Sequence, residues 1–290
     1  MKNKILLIHS YGEEEFKTTR PFLYNTAISR GCDILRLSKI YVEIGNTGLG
    51  ATLYKKTKSG LKVIPKDKYG VIFFLNFTKI ISRLLVVLSD SGYKTIRGAS
   101  KSIAANKLRS YIRCSSLGIP FPRTIYGPAG SQAITYPCIQ KPVSGHGGKD
   151  VIILDSQDDT RRNREDLLQD LVDDSGPGDT KVDYRAVFTG SEPVFWLKKS
   201  VSRESGVATN HVRGGDFEVH NPGEAEKEFI GKVISAFPEL KFGAIDYVQD
   251  KSGKLWFLEI NSFPDFKITY ELTGFNLLEP LLDYLEEVKL

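Results

Sequence analysis

The sequence has few of the residues that nucleophilic and metal-centred catalysis usually employ. Among its 290 residues are three cysteines and four histidines, widely spaced and without a CxxC pair. Such a set argues against a disulfide framework or a zinc site, and it fits a reducing cytoplasm. The sequence also has no GxGxxG, GxSxG or GxxxxGKS/T motif. Dinucleotide-binding, α/β-hydrolase and Walker-type nucleotide sites are therefore not expected.

Long apolar runs and a strong excess of one charge are also absent. No apolar run approaches the roughly 20 residues that span a bilayer, and the first apolar stretch soon meets Glu13, unlike a signal peptide. The net charge of +5 is small. It suits nucleotide phosphates or an acidic partner but does not indicate nucleic acid. We therefore expect no membrane and no nucleic-acid partner, and a homo-oligomer stays open.

The first third of the chain alternates strand and helix patterns. Apolar runs predict strands, and helical patterns between them end at glycines; the strands are 4–9, 32–37 and 71–75, and the helices 19–30 and 82–88. This order predicts right-handed crossovers and a small parallel sheet. We place this α/β domain at residues 1–95.

The remainder of the chain has an α+β pattern. Asn106 is predicted to cap a helix that runs to Leu117 and stops at Gly118. Further along, residues 162–172 are predicted as a helix or a helix-to-strand connection. The other predicted elements are strands 136–142, 151–154, 182–188, 194–201, 242–249 and 255–260, and helices 224–237 and 277–288. We divide this part into 96–175 and 176–290.

The last predicted hairpin carries a group of oxygen donors. Asp246 lies on one strand, and Glu259 and Asn261 lie two residues apart on the other, so both point to the same face. Two carboxylates and an amide are the hard oxygen ligands that Mg²⁺ binds together with water and phosphate oxygens. An ordinary hairpin with a solvated polar face fits the spacing equally well.

Three further segments carry residues suited to an anion. Lys141 ends an apolar strand and is followed by the glycine-rich stretch 144–149, in which backbone amides can approach phosphate oxygens. Lys107 lies at the positive end of a helix dipole, which a bound phosphate would offset. Asp183 and Arg185 share one face of a strand, and Arg203, Asn210 and Arg213 follow. A glycine-rich turn, a surface lysine and solvated charge pairs are the plain alternatives.

Taken in order, these segments resemble the ATP-grasp superfamily, and within it the RimK-like carboxylate–amine ligases, over nearly the whole chain. The stretches that carry the resemblance are 106–124 (NKLR and LGIPFPRT), 137–148, 168–172 (LQDLV), 183–185 (DYR), 209–215 (TNHVRGG), and Asp246 with 259–264 (EINSFP). The resemblance implies an ATP-grasp fold, with an N-terminal α/β (pre-ATP-grasp) domain over 1–95. It also implies a central lid subdomain over 96–175 with the glycine-rich loop, and a C-terminal subdomain over 176–290 with the magnesium site.

The resemblance also implies a function and a role for each matching residue. The function is ADP-forming ligation of a carboxylate to an amine through an acyl phosphate, adding an amino acid to a peptide, protein or small-molecule carboxylate. The implied cofactors are ATP and Mg²⁺ (or Mn²⁺), with Asp246, Glu259 and Asn261 as metal ligands. Arg185, Lys141 and Arg203 are the implied catalytic residues. The implied ATP-binding residues are Lys107, Lys141, Ser144, Gly145, His146, Gly147, Gly148, Gln169, Asp170, Leu171, Asp183, Asn210 and Arg213.

Two positions depart from the family pattern. Ala208 stands where the family commonly has an arginine, and Leu171 replaces an aromatic residue at the adenine-binding hinge. An insertion, residues 175–178 (SGPG), predicts a surface loop between hinge and strand. The alternative function is a catalytically weak or inactive ATP-binding protein of the same fold.

Overall fold

A computed structural model describes residues 2–44, 50–76, 78–96, 106–127, 132–144, 150–202 and 215–289. The chain forms two compact units. Unit 1 comprises Met1–Ser100, Glu239–Phe242 and Asp265–Leu290, and unit 2 comprises Lys101–Pro238 and Gly243–Pro264. None of the helices in these ranges is both long and apolar enough to cross a membrane.

The described elements follow one another in a mixed order of strands and helices. The strands are β1 (Ile5–His9), β2 (Asp33–Arg36), β3 (Ile40–Ile44), β4 (Ala51–Thr57), β5 (Gly60–Ile64), β6 (Val71–Phe74), β7 (Thr124–Ile125), β8 (Cys138–Lys141), β9 (Ile152–Leu154), β10 (Leu167–Asp170), β11 (Thr180–Thr189), β12 (Glu192–Ser202), β13 (Asp216–Val219), β14 (Phe242–Gln249) and β15 (Leu255–Asn261). The helices are α1 (Glu13–Thr19), α2 (Pro21–Ser29), α3 (Lys79–Asp90), α4 (Lys107–Ser116), α5 (Glu224–Ala236), α6 (Phe266–Thr273) and α7 (Leu278–Glu287).

Unit 1 is built on a parallel sheet with strand order β2-β1-β6, as the alternating pattern predicted. Residues 71–74 are buried throughout, which is why they form an apolar run without alternation. A second, antiparallel sheet of β3, β4 and β5 has no counterpart among the predicted elements. Its strands contain apolar residues, but Ile44, Leu61 and Val63 are exposed, so the sequence pattern does not mark a single buried face.

The C-terminal helices belong to unit 1. Arg30 of α2 donates hydrogen bonds to carboxylates on α7, at 3.2 Å to Glu279, 2.7 Å to Asp283 and 2.8 Å to Glu286. Phe22 stacks on Tyr270 with ring centroids 4.1 Å apart. The predicted division into 1–95, 96–175 and 176–290 differs from this arrangement. Helices α6 and α7 pack on the first helices, and residues 265–290 therefore belong to unit 1.

Unit 2 contains a sheet of antiparallel pairs ordered β7-β10-β8-β9 and a sheet ordered β13-β12-β11-β14-β15, in which β12 pairs antiparallel with β11 and β13, and β14 with β15. The predicted hairpins over 182–201 and 242–260 are both present. Helix α4 also begins and ends as predicted: the Asn106 side chain accepts a hydrogen bond from the Arg109 amide at 3.1 Å, and Gly118 adopts a φ of 65°. The helix offered for 162–172 is wrong, because Leu167–Asp170 forms a strand whose side chains are buried on both faces.

Candidate active site

The β14–β15 hairpin places the two predicted metal-binding carboxylates side by side. Asp246 pairs directly with Glu259, and Tyr247 pairs with Phe257, so Leu258 is an extra residue on β15. A bulge of this kind increases the local twist and redirects the neighbouring side chains. Asp246 is 4% exposed. Asp246 is therefore buried within unit 2, not on the solvated hairpin face that the spacing also allowed, whereas the side chain of Glu259 is 32% accessible.

Two cations hold Asp246. Arg185 of β11 donates from Nε to Oδ1 at 2.8 Å and from Nη2 to Oδ2 at 2.7 Å, and Lys199 of β12 donates to Oδ1 at 3.2 Å. Lys199 also pairs with Asp183 at 2.5 Å. Burial raises the pKa of Asp246, but Arg185 and Lys199 outweigh it and leave that pKa well below the ordinary value. The predicted shared face of Asp183 and Arg185 is confirmed, and for these two residues the alternative of a solvated surface pair is wrong.

Glu259 and Asn261 complete the group. The Asn261 amide nitrogen donates to Glu259 Oε1 at 2.9 Å and to Asp246 Oδ2 at 3.1 Å, so the three side chains converge. Lys107 at the start of α4 lies 3.6 Å from Glu259 Oε2 and is 9% exposed, which contradicts the plain alternative of a surface lysine.

This donor set fits a hard divalent cation. The carboxylates of Asp246 and Glu259 converge on the Asn261 amide, whose nitrogen faces them in this structure. Turning the amide over would direct its oxygen to the same place, and Mg²⁺ binds few protein oxygens because it keeps water or phosphate oxygens as further ligands. Across the described ranges, no cluster of three or more His, Cys, Asp or Glu side chains is positioned for a metal. A site here therefore depends on the Asn261 amide as its third protein ligand.

Lys141 lies at the end of β8 and is almost completely buried. Its ammonium donates to Gln169 Oε1 of β10 at 2.6 Å and to the hydroxyl of Tyr111 on α4. The pKa of Lys141 is lowered to about 7, chiefly by burial; Glu259 opposes the shift, and Lys107 and Lys181 add to it. An anionic ligand would stabilise the ammonium in this position, because its negative charge replaces the solvation by water that burial removes.

The predicted adenine hinge borders a pocket of about 740 Å³. Asp170 and Leu171 line it, whereas Gln169 points to Lys141. Aromatic walls come from Phe121 and Trp256. The pocket is large enough for a nucleobase, and its apolar walls suit a stacked ring.

The structure places the other predicted residues as follows. Ser144 is exposed after β8. Ser175 and Pro177 are exposed, as expected for the 175–178 loop, while Asp174 beside them is buried and accepts from the amides of Gly176 and Val182 at 3.0 and 2.9 Å. Seven predicted site residues lie outside the described residues: Gly145, His146, Gly147, Gly148, Arg203, Asn210 and Arg213.

Two residues of the site were not predicted. Lys199 lies at an inward position of β12, flanked by the buried Leu197 and Val201, and a lysine in such an alternating pattern is the signal that could have found it. Tyr111 lies four residues after Lys107 on α4, on the same helix face. It is 3% exposed, and its role becomes visible only through its contact with Lys141.

A comparison with known protein families identifies a family over the region that contains these residues. The family model described as the ATP-grasp domain matches residues 104–264. This chain belongs to the ATP-grasp family. The predicted fold is thereby confirmed, and the matched region includes Lys107, Lys141, Asp246 and Glu259.

Individual ATP-grasp proteins are similar to larger parts of the chain. The alpha-aminoadipate–LysW ligase LysX of Sulfurisphaera tokodaii is 26% identical over 221 residues, which cover 69% of this chain and 74% of LysX. The ATP-grasp ligase PsnB, solved with a minimal precursor, has a TM-score of 0.70 at 14% identity and 98% coverage of both chains. A RimK-domain ATP-grasp protein of Sphaerobacter thermophilus has a TM-score of 0.64 at 14% identity, covering 97% of this chain and 98% of that one.

Proposed function

We propose that this protein is an ADP-forming carboxylate–amine ligase of the RimK-like type. The observation that carries the proposal is the convergence of Asp246, Glu259 and Asn261 beside Arg185 and the buried Lys141. Membership of the ATP-grasp family supports it, as does the similarity to LysX. The absence of a nucleophile motif agrees with a reaction that depends on positioning and charge.

The reaction has two steps. An oxygen of the substrate carboxylate attacks the γ-phosphorus of ATP, the bond to the β-phosphate oxygen breaks, and an acyl phosphate and ADP form. The amine nitrogen then attacks the acyl carbon, the bond to phosphate breaks, and the amide and inorganic phosphate are released with loss of the amine proton. Such steps need charge neutralisation and alignment more than side-chain nucleophiles.

We assign a role to each residue of the site from its charge and its position. Asp246, Glu259 and Asn261 would hold Mg²⁺, which neutralises phosphate charge when bound. Lys141 and Lys107 would contact the phosphates of ATP. Arg185 orients Asp246 and presents its exposed edge to the acyl phosphate, since its side chain is 27% accessible. The pocket beside Asp170 and Leu171 would take the adenine.

The acid is proposed to be a peptide, a protein terminus or a small carboxylate, and the amine an amino acid. LysX is named for ligating alpha-aminoadipate and LysW, and PsnB has been solved with the precursor peptide PsnA2 and AMPPNP. Both names agree with an amino-acid or peptide substrate. The identity of the two substrates is a question for a mass-spectrometric screen of paired acids and amines.

The direct test is ADP release from ATP and Mg²⁺ with panels of acids and amines. Glu259→Ala is expected to reduce the rate at least a hundredfold while the circular dichroism spectrum stays unchanged. Glu228→Ala is the matched control, because Glu228 is an exposed glutamate of α5 paired only with Lys232 at 2.7 Å. Unchanged turnover in Glu259→Ala would contradict the proposal, and ATP binding without ADP formation across the panel would favour an inactive ATP-binding protein.

A further inference from the structure

The bulge in β15 leaves one backbone carbonyl outside the strand ladder. Leu258 has no partner on β14, because Glu259 pairs with Asp246 and Phe257 with Tyr247. A buried carbonyl without a partner is costly, so such a bulge needs a hydrogen-bond donor. The Tyr111 hydroxyl supplies it, at 2.6 Å from the Leu258 oxygen.

The same hydroxyl also accepts a hydrogen bond from Lys141. The lysine nitrogen lies 5.0 Å from the centroid of the Tyr111 ring, within the range of a cation–π contact. One buried tyrosine thus uses both its donor and its acceptor capacity, and it connects the end of β8 to the bulge next to Glu259. The ring is fixed by Phe121 and Phe257, at centroid distances of 5.0 and 5.9 Å.

Lys141 is held from the opposite side as well. Gln169 accepts from the ammonium at 2.6 Å, and its own amide donates to Thr124 Oγ1 at 2.6 Å. Two of the three ammonium N–H bonds are therefore directed at described protein groups. Within the described part of the chain, the third N–H bond has no protein acceptor.

We propose that Tyr111 is a positioning residue that fixes Lys141 relative to the bulge at Leu258 and thereby to the carboxylate of Glu259. This inference rests on the proposed function, in which Lys141 contacts nucleotide phosphates and Glu259 binds Mg²⁺. It means that nucleotide binding and metal binding share one buried hydroxyl. Removing that hydroxyl weakens both, although Tyr111 touches neither ligand.

The test is equilibrium binding in the full-length protein. Tyr111→Phe keeps the ring and its packing but removes the hydroxyl. Isothermal titration is expected to show affinity for ADP, at saturating Mg²⁺, reduced about tenfold or more, the loss usual when a supporting partner of a site residue is removed. The Mg²⁺ concentration needed for half-maximal ADP binding is expected to rise similarly.

Tyr93→Phe is the matched control. Tyr93 is 4% exposed, and its hydroxyl also accepts one hydrogen bond and donates another, here both with backbone groups: it accepts from the Leu53 amide at 2.8 Å and donates to the Ile64 carbonyl at 3.2 Å. Both variants lose one buried hydroxyl, so both should lower the melting temperature to a similar degree. Only Tyr111→Phe should change the ADP and Mg²⁺ affinities.

Each outcome decides the matter. Wild-type ADP and Mg²⁺ affinities in Tyr111→Phe, or equal losses in Tyr93→Phe, would overturn the positioning role. A loss of ADP affinity with no change in the Mg²⁺ requirement would overturn the link to Glu259. Failure of the wild-type protein to bind ADP with Mg²⁺ would overturn the proposed function itself, and the wild-type titration alone reveals that case.

Discussion

Arg185 binds both carboxylate oxygens of Asp246, with Nε 2.8 Å from Oδ1 and Nη2 2.7 Å from Oδ2. This two-point contact fixes the plane of the carboxylate, which a single lysine contact cannot do. Asp246 is therefore ionised and oriented before any cation arrives. The cost of burying the carboxylate is offset by the protein itself.

Loss of this contact should destabilise the protein. Arg185→Gln leaves a buried carboxylate with Lys199 as its remaining cation, so we expect a loss of about 3 kcal/mol in urea unfolding at pH 7. Because the folded pKa of Asp246 is below its unfolded value, the contribution is present above pH about 4 and is lost as the pH falls further. Lys198→Gln is the control, since Lys198 pairs with Glu218 on the surface at 2.6 Å and is worth less than about 1 kcal/mol. Equal losses in the two variants would refute the assignment.

Removal of divalent cations should weaken nucleotide binding. The donors Asp246, Glu259 and Asn261 fit a cation that also binds phosphate oxygens, so ADP with Mg²⁺ should raise the melting temperature more than ADP with EDTA. At one hundred times its Kd, a ligand adds about 2.7 kcal/mol to the free energy of unfolding. Glu259→Gln should remove the difference between Mg²⁺ and EDTA. A persistent difference in that variant would place the cation elsewhere.

Nucleotide affinity should fall as the pH rises above neutrality. The pKa of Lys141 is lowered to about 7, mainly by burial, so the free lysine is largely neutral above that pH. A bound phosphate favours the charged form of Lys141, so above pH 7 the lysine takes up a proton when ADP binds. This proton uptake lowers the affinity for ADP by up to about tenfold for each pH unit above 7. Calorimetry with ADP from pH 6 to 9 measures this. Lys141→Arg should give a flatter profile, because arginine stays charged, and a flat wild-type profile would contradict the prediction.

Gly243 is expected to tolerate no side chain. A Cβ there would lie 2.8 Å from the Asn261 carbonyl oxygen and 2.9 Å from the Phe188 ring. Gly243→Ala should cost about 1–3 kcal/mol in urea unfolding and displace the strand that carries Asn261. Gly231→Ala on α5, where a Cβ meets open space, should instead stabilise by about 0.5–1 kcal/mol. Stabilisation in both variants would show that β15 can move aside.

Much of the site was predictable because its signals are local. The Asn106 cap, the Gly118 stop and the spacing of Glu259 and Asn261 depend on neighbours within a few residues. Lys199 and Tyr111 were missed because their significance lies in partners 47 and 30 residues away, Asp246 and Lys141. A local residue pattern does not indicate contacts between residues that are so far apart in the sequence.

The fold shows the same limit. Residues 162–172, which contain β10, were predicted as a helix or a helix-to-strand connection. Leu167 and Leu168 of β10 are both buried, and a short apolar run without alternation does not distinguish helix from strand. The sheet of β3 to β5 was missed because Ile44, Leu61 and Val63 are exposed, so its apolar residues do not mark one buried face. Pairing with other strands decides both cases.

The return of residues 265–290 to unit 1 has a consequence for synthesis. Unit 2 is complete in sequence once Pro264 has been made, whereas α2 must wait for α7 to supply Glu279, Asp283 and Glu286 to Arg30. On the ribosome, the nucleotide-binding part can therefore mature first. A nascent chain that stops before Glu279 leaves Arg30 of α2 without its charge partners on α7.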